Sequence, residues 1–485
     1  MASERACKFR INNGDKDPFL CKRSLFKNDQ CVLHYSGDEK DTQLLDEQIK
    51  YELDDSDTDI LDLRGAQFHN VPEVFITGTI KKEVWFDEAV FHRNFLFKNL
   101  DFHCKCSFTK CEFKYGVEFI NCKFLDHFIF ENVFLPHSIP EPQKLYFELC
   151  EFHNEASFHL SQCGIFVHFK HIVFYGEANF KEVTFGQSLK LTDVVFSEDV
   201  SFEQTDFNKP LYFEVVNFRG QADFNISSLN GVQEFKKVNF NGQSYFNPFV
   251  SSGHDFSFYN CDLSGLRVLT LPLLEKRSVE FRSCSWAKKK LLFPPGRDVL
   301  ADEYDLKSPF SYLQLLKAYK LLHKRYYLSS EFQQAREFYV GFMILKRKLQ
   351  RGEWLAKRFD EFYSLFSRYG ESIYRPFWSL IAMWLLVPII LLHLGIKLEN
   401  GADEIVMPIV IGFEDTAFIP FTVVYWKTVL LNLSLSTLIR TSELRPAITS
   451  LQSFIIFLET VLNALFLGFF ALGIRRRSVP KKPIE

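Results

Sequence analysis

Phenylalanine recurs in this chain on a fixed five/six beat. Phe86, Phe91, Phe97, Phe102, Phe108, Phe113, Phe119, Phe124 and Phe130 keep it without a break. The beat resumes at Phe147, Phe152 and Phe158 and runs through Phe169, Phe174, Phe180 and Phe185 to Phe240 and Phe246. Cys163, Leu191 and Leu229 occupy missing beats. An amphipathic helix repeats every ~3.6 residues and a half-buried strand every second one, so neither produces this spacing. A long fixed period belongs to solenoids, where each repeat buries its apolar face against its neighbours.

The position two residues before each beat is restricted as well. It holds Val84, Ala89, Cys106, Cys111, Val117, Cys122, Cys150, Ala156, Val183 and Ala222, all small or β-branched. The residue between is usually polar, as in Ala178-Asn179-Phe180. Small in, polar out, large in is the pattern of a tightly coiled β-wall. From Leu61 to Leu263 the chain resembles the pentapeptide-repeat family in its phenylalanine-rich form. That resemblance implies an all-β, right-handed quadrilateral β-helix with stacked aromatic ladders inside. Two five/six pairs make a coil of about 22 residues, and nine or ten coils at ~4.8 Å make a rod roughly 45 Å long. Pro136 to Pro142 breaks the beat and is expected to loop out of the wall. The aromatic ladder itself reads as core.

Composition narrows the function. Lys and Arg number 57 against 60 Asp and Glu, for a net charge of -3. A nucleic-acid partner wants a basic stripe, and none is expected here. The near-neutral balance also speaks against a DNA-mimicking acidic rod. Of the eleven cysteines, Cys106, Cys111, Cys122, Cys150 and Cys261 fall on inward slots, where thiols serve as small hydrophobes. Reduced thiols point to a cytosolic rod, and Met-Ala-Ser-Glu-Arg starts no secretory signal. No Walker loop, GxSxG, HExxH or dinucleotide fingerprint occurs, so an enzyme is not expected.

Ahead of the repeat stand Cys7, Cys21, Cys31 and His34, the last two as Cys31-Val32-Leu33-His34. Three thiolates and an imidazole suit a tetrahedral structural zinc, and a closing pair two residues apart is a usual ligand bite. None of the four lies on the phenylalanine beat. The set resembles the short cysteine/histidine knuckle ahead of the rod in some pentapeptide-repeat proteins. The alternative is that Cys7 and Cys21 are ordinary thiols of an N-terminal cap, which a solenoid end needs in either case. Residues 36–59, with Asp54, Asp55, Asp57 and Asp59, read as an acidic surface linker. Cap and linker make a first region, 1–60, before the β-helix at 61–293.

Helical patterning follows in a neck at 294–375. Tyr312, Leu315, Leu316, Tyr319 and Leu322 fall at three/four spacing. Ser330 with Gln333 reads as the capping box of a second helix carrying Phe332, Ala335, Phe338, Phe342 and Leu345. These two resemble a helical hairpin of tetratricopeptide type. A third helix spans 354–369, stopped by Gly370.

The last region, 376–485, is apolar. Phe377 to Ile396 and Ile448 to Ile474 are each long enough to cross a bilayer. Phe418 to Ile439 between them is mixed and reads as a re-entrant segment. Basic residues flank both outer ends, including Arg368 and Arg375 before the first span and Arg475, Arg476 and Arg477 after the second. The positive-inside rule then puts both termini in the cytoplasm of a multi-pass cell-membrane protein surrounded by membrane lipid. Span, re-entrant segment, span resembles the two-transmembrane potassium-channel family. The resemblance rests on Leu433 to Leu438 and on Phe457 to Phe466 followed by basic residues. It departs at the filter: Ser436 to Arg440 has no glycine, so potassium selectivity is not implied.

The resemblance implies an oligomeric, tetrameric pore with Ser434, Ser436 and Thr437 at its constriction. Glu459, the acid of the second span, and Asn463 one helical turn later are read as pore residues or helix-packing residues. The leading expectation is an ion channel-like homo-oligomer with a cytosolic rod that senses or binds a protein or small-molecule partner. The alternative is a non-conducting membrane-anchored interaction scaffold.

Overall fold

The computed structural model describes residues 7–11, 19–37, 40–136, 143–246, 256–267, 279–289, 297–305, 309–349, 354–394, 396–398, 405–406, 425–426, 429–430, 444–446 and 450–478. The chain forms two compact units, one of residues 1–290 with 296–331 and one of 291–295 with 332–485.

The body of the first unit is an all-parallel β-solenoid. Each coil lays down short strands, such as Glu83–Trp85, Val90–Phe91, Phe95–Lys98 and Leu100–Phe102. Equivalent strands of successive coils pair in register, and one wall stacks ten of them. The repeat spacing is the register: Val84 pairs with Cys106, and Cys106 with Phe128. Phe124 instead pairs with Phe152 and Val117 with Leu145, six residues further than the normal interval. The excess lies between Leu135 and Leu145, around the segment where the sequence loses its beat. It is absorbed without disturbing the next coil, since Leu145 again pairs with Val167.

Both inward positions of each repeat are shut away from water. Cys106, Phe108, Cys111 and Phe113 are each 0 % exposed. Rings on equivalent beats lie parallel: Phe86 and Phe108 at 4.6 Å, Phe97 and Phe119 at 4.7 Å, Phe152 and Phe174 at 4.7 Å. The strand separation dictates this spacing, and perpendicular neighbours such as Phe158 and Phe169 fill the space between ladders.

Two corners turn through left-handed backbone. One carries Asn99, Asn121, Leu149, His171, Asp193 and Val215, with φ between 51° and 58°. Asn and Asp tolerate that region; Leu149 and the β-branched Val215 do not adopt it readily. The walls on either side fix the corner, and the side chains accept it.

Each end of the rod is capped. At the N-terminal end, α1 (Thr42–Asp54) occupies part of the segment that the sequence pattern assigns to an acidic linker. Glu47 and Asp54 of this helix are exposed, while Leu45 and Ile49 are buried. Asp41 starts it, accepting from the N–H groups of Gln43 and Leu44, the ordinary N-cap arrangement. Reading the aspartates alone missed the two apolar residues four apart.

At the other end, one more coil follows Leu263. Phe258 pairs with Phe281, and Trp286 then donates from Nε1 to the Tyr326 hydroxyl at 2.8 Å. Tyr326 belongs to α2 (Pro309–Leu328). Beneath this helix lies a buried polar cluster. Glu303 accepts from Arg297 and from the Tyr319 hydroxyl, and Tyr319 also accepts from the Leu300 N–H at 3.2 Å.

Ser330 is not an N-cap. It has φ 62° and donates its N–H to the Tyr327 carbonyl, so it closes α2 in the left-handed manner of a C-terminal cap. Glu331 follows, its carboxylate accepting from the Ser283 N–H.

The second unit contains α3 (Phe332–Leu349), α4 (Trp354–Ser367), α5 (Tyr374–Leu394) and α6 (Ser450–Ser478). The paired helices expected of a tetratricopeptide hairpin, α2 and α3, fall in different units. Helix α4 ends two residues before the expected boundary, and Arg368, Tyr369 and Gly370 are all left-handed. Helices α5 and α6 are long and apolar enough to cross a membrane. Strand Ile396–Leu398 follows α5 and pairs antiparallel with Ile405–Val406 and Leu444–Pro446.

Candidate metal centre

Cys7, Cys21, Cys31 and His34 converge. Their donor atoms all lie within 4.8 Å of one another and all four residues are buried. Cys21 Sγ is 3.7 Å from Cys31 Sγ, and His34 Nδ1 is 3.2 Å from Cys31 Sγ and 3.4 Å from Cys7 Sγ. The long spacers of the motif are bridged by local structure. Strands Arg10–Ile11 and Phe19–Leu20 pair antiparallel, which carries Cys21 back beside Cys7. A turn with Asn28 and Asp29 left-handed then delivers Cys31. The Tyr35 N–H returns to the Cys31 carbonyl at 3.0 Å, winding Cys31 and His34 into one turn.

Surrounding groups orient these donors. His34 Nε2 lies 2.9 Å from the Arg64 carbonyl, which can only accept. Nε2 therefore holds the ring proton, and Nδ1 presents its lone pair to the three sulfurs. Phe9 stacks on the imidazole at 3.8 Å. Cys7 Sγ accepts from the Cys31 N–H at 3.2 Å. The hydrogen bond between Cys21 and Cys31 lowers the Cys21 pKa and raises that of Cys31. That hydrogen bond favours a thiolate at Cys21, and the thiolate is the ligating form.

The centre is fastened to the first coil. Arg23 makes a bidentate pair with Glu52 of α1, both contacts at 2.6 Å. The Gln67 N–H donates to Leu33, and Lys40 donates from Nζ to the carbonyls of Leu33 and Gln67. Burial pushes Lys40 down to about 7. Sequence spacing finds the four donors but not Arg23, Lys40 or the Arg64 carbonyl. Nothing in the pattern marks them, because their roles come from contacts across the cap.

The candidate pore residues divide. Glu459 and Asn463 share a buried face of α6, at 4 % and 1 % exposure. Asn463 Oδ1 accepts from Trp384 Nε1 of α5 at 3.1 Å, a hydrogen bond between the two apolar helices of one chain. Ser434, Ser436 and Thr437 lie outside the described residues. Of the stretch read as re-entrant, Tyr425 donates its hydroxyl to the Leu385 carbonyl of α5 at 3.1 Å, and Val429 is buried.

Residues 169–215 match the family model of pentapeptide repeats (9 copies). No curated protein and no solved structure matches the chain. The match covers the most regular part of the solenoid, where strands Phe166–Phe174, Leu189–Phe196 and Leu211–Phe218 stack. No family match extends to the apolar helices.

Proposed function

We propose that this protein is a membrane-anchored repeat scaffold whose cytosolic rod is closed at its N-terminal end by a structural zinc ion. The observation that carries the metal part is the donor geometry. A tetrahedral zinc with Zn–S near ~2.3 Å and Zn–N near ~2.0–2.1 Å has ligand–ligand edges of roughly 3.5–3.8 Å. Three of the six donor–donor contacts, at 3.2–3.7 Å, are close to those edges, and all four donors lie within 4.8 Å, so a small contraction around an ion completes the tetrahedron. With all four positions taken by protein, the ion serves structure and not catalysis.

The anchor reading rests on the surfaces of α5 and α6. Phe454, Phe457, Leu458 and Leu467 of α6 and Leu386, Ile389 and Ile390 of α5 are exposed. Helices with such surfaces call for an apolar surrounding. The basic ends of both helices orient the rod and both termini toward the cytoplasm.

A pore remains the second reading, favoured by Glu459, an acid on an apolar helix. One chain supplies too few spans to enclose a water path, so conduction requires an oligomer, and a ring of Glu459 carboxylates would select cations. The Asn463–Trp384 bond supports packing as the role of this polar face.

Elemental analysis of the purified full chain tests the zinc. One zinc per chain, lost in Cys31→Ser, is expected; absence of zinc rules it out. Alkaline carbonate extraction of expressing membranes tests the anchor, since release into the soluble fraction would sink it. Current from the reconstituted protein, lowered in Glu459→Gln at unchanged assembly, would replace the scaffold by the pore.

A further inference from the structure

A cleft of about 510 Å³ in the second unit is lined by Arg347, Arg358, Arg368 and Arg375, against one lining carboxylate, Glu361. The arginines come from α3, α4, the turn after α4 and the first turn of α5. Each has a reason to be where it is. Arg358 meets Glu361 at 2.9 Å. Arg368 is 7 % exposed and pairs with Glu337. Arg375 donates from Nη1 to the Leu365 carbonyl at 3.2 Å. Arg347 sits in the last turn of α3, where a cation complements the helix dipole.

The sum of these placements is a charge imbalance. Among the described lining residues, four guanidinium groups stand against the Glu361 carboxylate, with Glu337 paired to Arg368 beside them. Like charges held around a partly enclosed space repel one another, and an anion in the cleft relieves that. Guanidinium favours phosphate because its planar fork matches two phosphate oxygens at once. The rest of the lining includes Ile344 and Phe362. A free phosphate would leave that apolar wall unused.

Chain position supplies the remaining constraint. Arg375 stands at the start of α5, whose apolar stretch begins at Tyr374. A basic cleft at the foot of a span lies at headgroup level, on the side that positive residues mark as cytoplasmic. We propose that this cleft holds the phosphorylated headgroup of an anionic phospholipid, with an acyl chain along Ile344 and Phe362. The proposal rests on the membrane-anchored reading.

The test uses the full chain purified in mild detergent and exposed to defined lipids, with bound lipid read by native mass spectrometry. Phosphatidylserine and a phosphoinositide should be retained at least tenfold more than phosphatidylcholine. The double variant Arg347→Gln/Arg358→Gln should lose that preference. It leaves the buried Arg368 and the carbonyl-bound Arg375 in place, and an unchanged thermal melt checks its fold. A Lys190→Gln control on the rod should behave as wild type. Equal retention of charged and zwitterionic lipid, or full retention by the double variant, overturns the proposal. Binding of inorganic phosphate alone, with no lipid preference, replaces the lipid by a soluble phosphate. Carbonate extraction separates the two readings: a chain released by carbonate that still selects anionic lipid loses its anchor and keeps this site, whereas an embedded chain with no lipid preference loses only the site.

Discussion

The rod and the apolar helices are both rich in phenylalanine and treat it in opposite ways. Phe108 and Phe174 inside the rod are 0 % exposed, whereas Phe457 on α6 is 65 % exposed. The difference lies in what each element can offer its own side chains. A coil closes its apolar face against the next copy of itself, so the solenoid is self-sufficient except at its ends. Two helices in contact cover one face each and leave the remainder apolar and uncovered. The same residue type therefore stabilises the fold in one region and selects the surroundings in the other.

The ends of the rod give the first way to break this comparison, and the largest effect. There the repeat has no next copy, and the N-terminal end relies on the metal-type cluster. Structural zinc in small domains contributes on the order of 10–16 kcal/mol to folding. Chelation, or Cys31→Ser, should unfold the cap while leaving the coils beyond Phe97 folded. Hydrogen exchange should show protection lost in residues 21–54 alone; loss along the whole rod would mean that the coils are not self-sufficient. Metal should also leave in acid, because thiolates must be deprotonated to ligate.

The next test compares the two kinds of phenylalanine directly. Phe174→Ala leaves a hole between Phe152 and Phe196 and should cost about 3–5 kcal/mol. Phe457→Ala should shift the melt of detergent-solubilised protein by less than about 0.5 kcal/mol. Equal losses would erase the distinction. Asn179→Lys on the outward face gives up the Asn179 bond to the Lys181 N–H and should cost only about 1 kcal/mol.

Leu458→Arg acts in the opposite region. A charge on the exposed face of α6 should raise the cost of insertion by about 2.5–3.5 kcal/mol. Membrane fraction should fall while the rod melts as before.

A second pH effect should arise within the coils of the rod. Burial pushes His168 down to about 4, helped by Lys190, Lys170 and Lys144. Folding thus favours the neutral ring. Its contribution is intact above the unfolded value near ~6.5 and is lost as pH falls toward 4. His168→Gln should flatten that part of the stability profile; an unchanged profile would exclude His168 as its source.

The last effect is a gain. Val215 holds φ 58° at an exposed corner, and Val215→Asn should stabilise the rod by up to about 1 kcal/mol.

Much of the fold was legible in the residues, for a reason specific to repeats. The beat at Phe86, Phe91 and Phe97 defines which side chains point inward, and the same beat one coil later defines the pairing register. Local pattern and long-range contact are therefore the same information. The break near Pro136 marked the six-residue excess for the same reason. Where the pattern does not repeat, local sequence no longer carries the long-range contacts. Aspartates between 54 and 59 concealed a short helix at 42–54 that depends on Leu45 and Ile49. Ser330 matched a capping motif but closes the helix before it, since its left-handed backbone is set by the following turn. Cys7, Cys21, Cys31 and His34 were visible as a donor set, yet their convergence needs the antiparallel pairing of Arg10–Ile11 with Phe19–Leu20 and the Arg64 carbonyl of the first coil.

The sequence by itself determined the solenoid, the inward ladder, the apolar lengths of α5 and α6, and the chemical character of the metal-type donors. Each of these follows from periodicity, length or residue chemistry, which a linear chain already contains. Tertiary structure alone decided that the four donors meet, that Asn463 bonds Trp384, and that four arginines from separate elements surround one cleft. Those groups lie on separate elements, and only the packing of their elements brings them together.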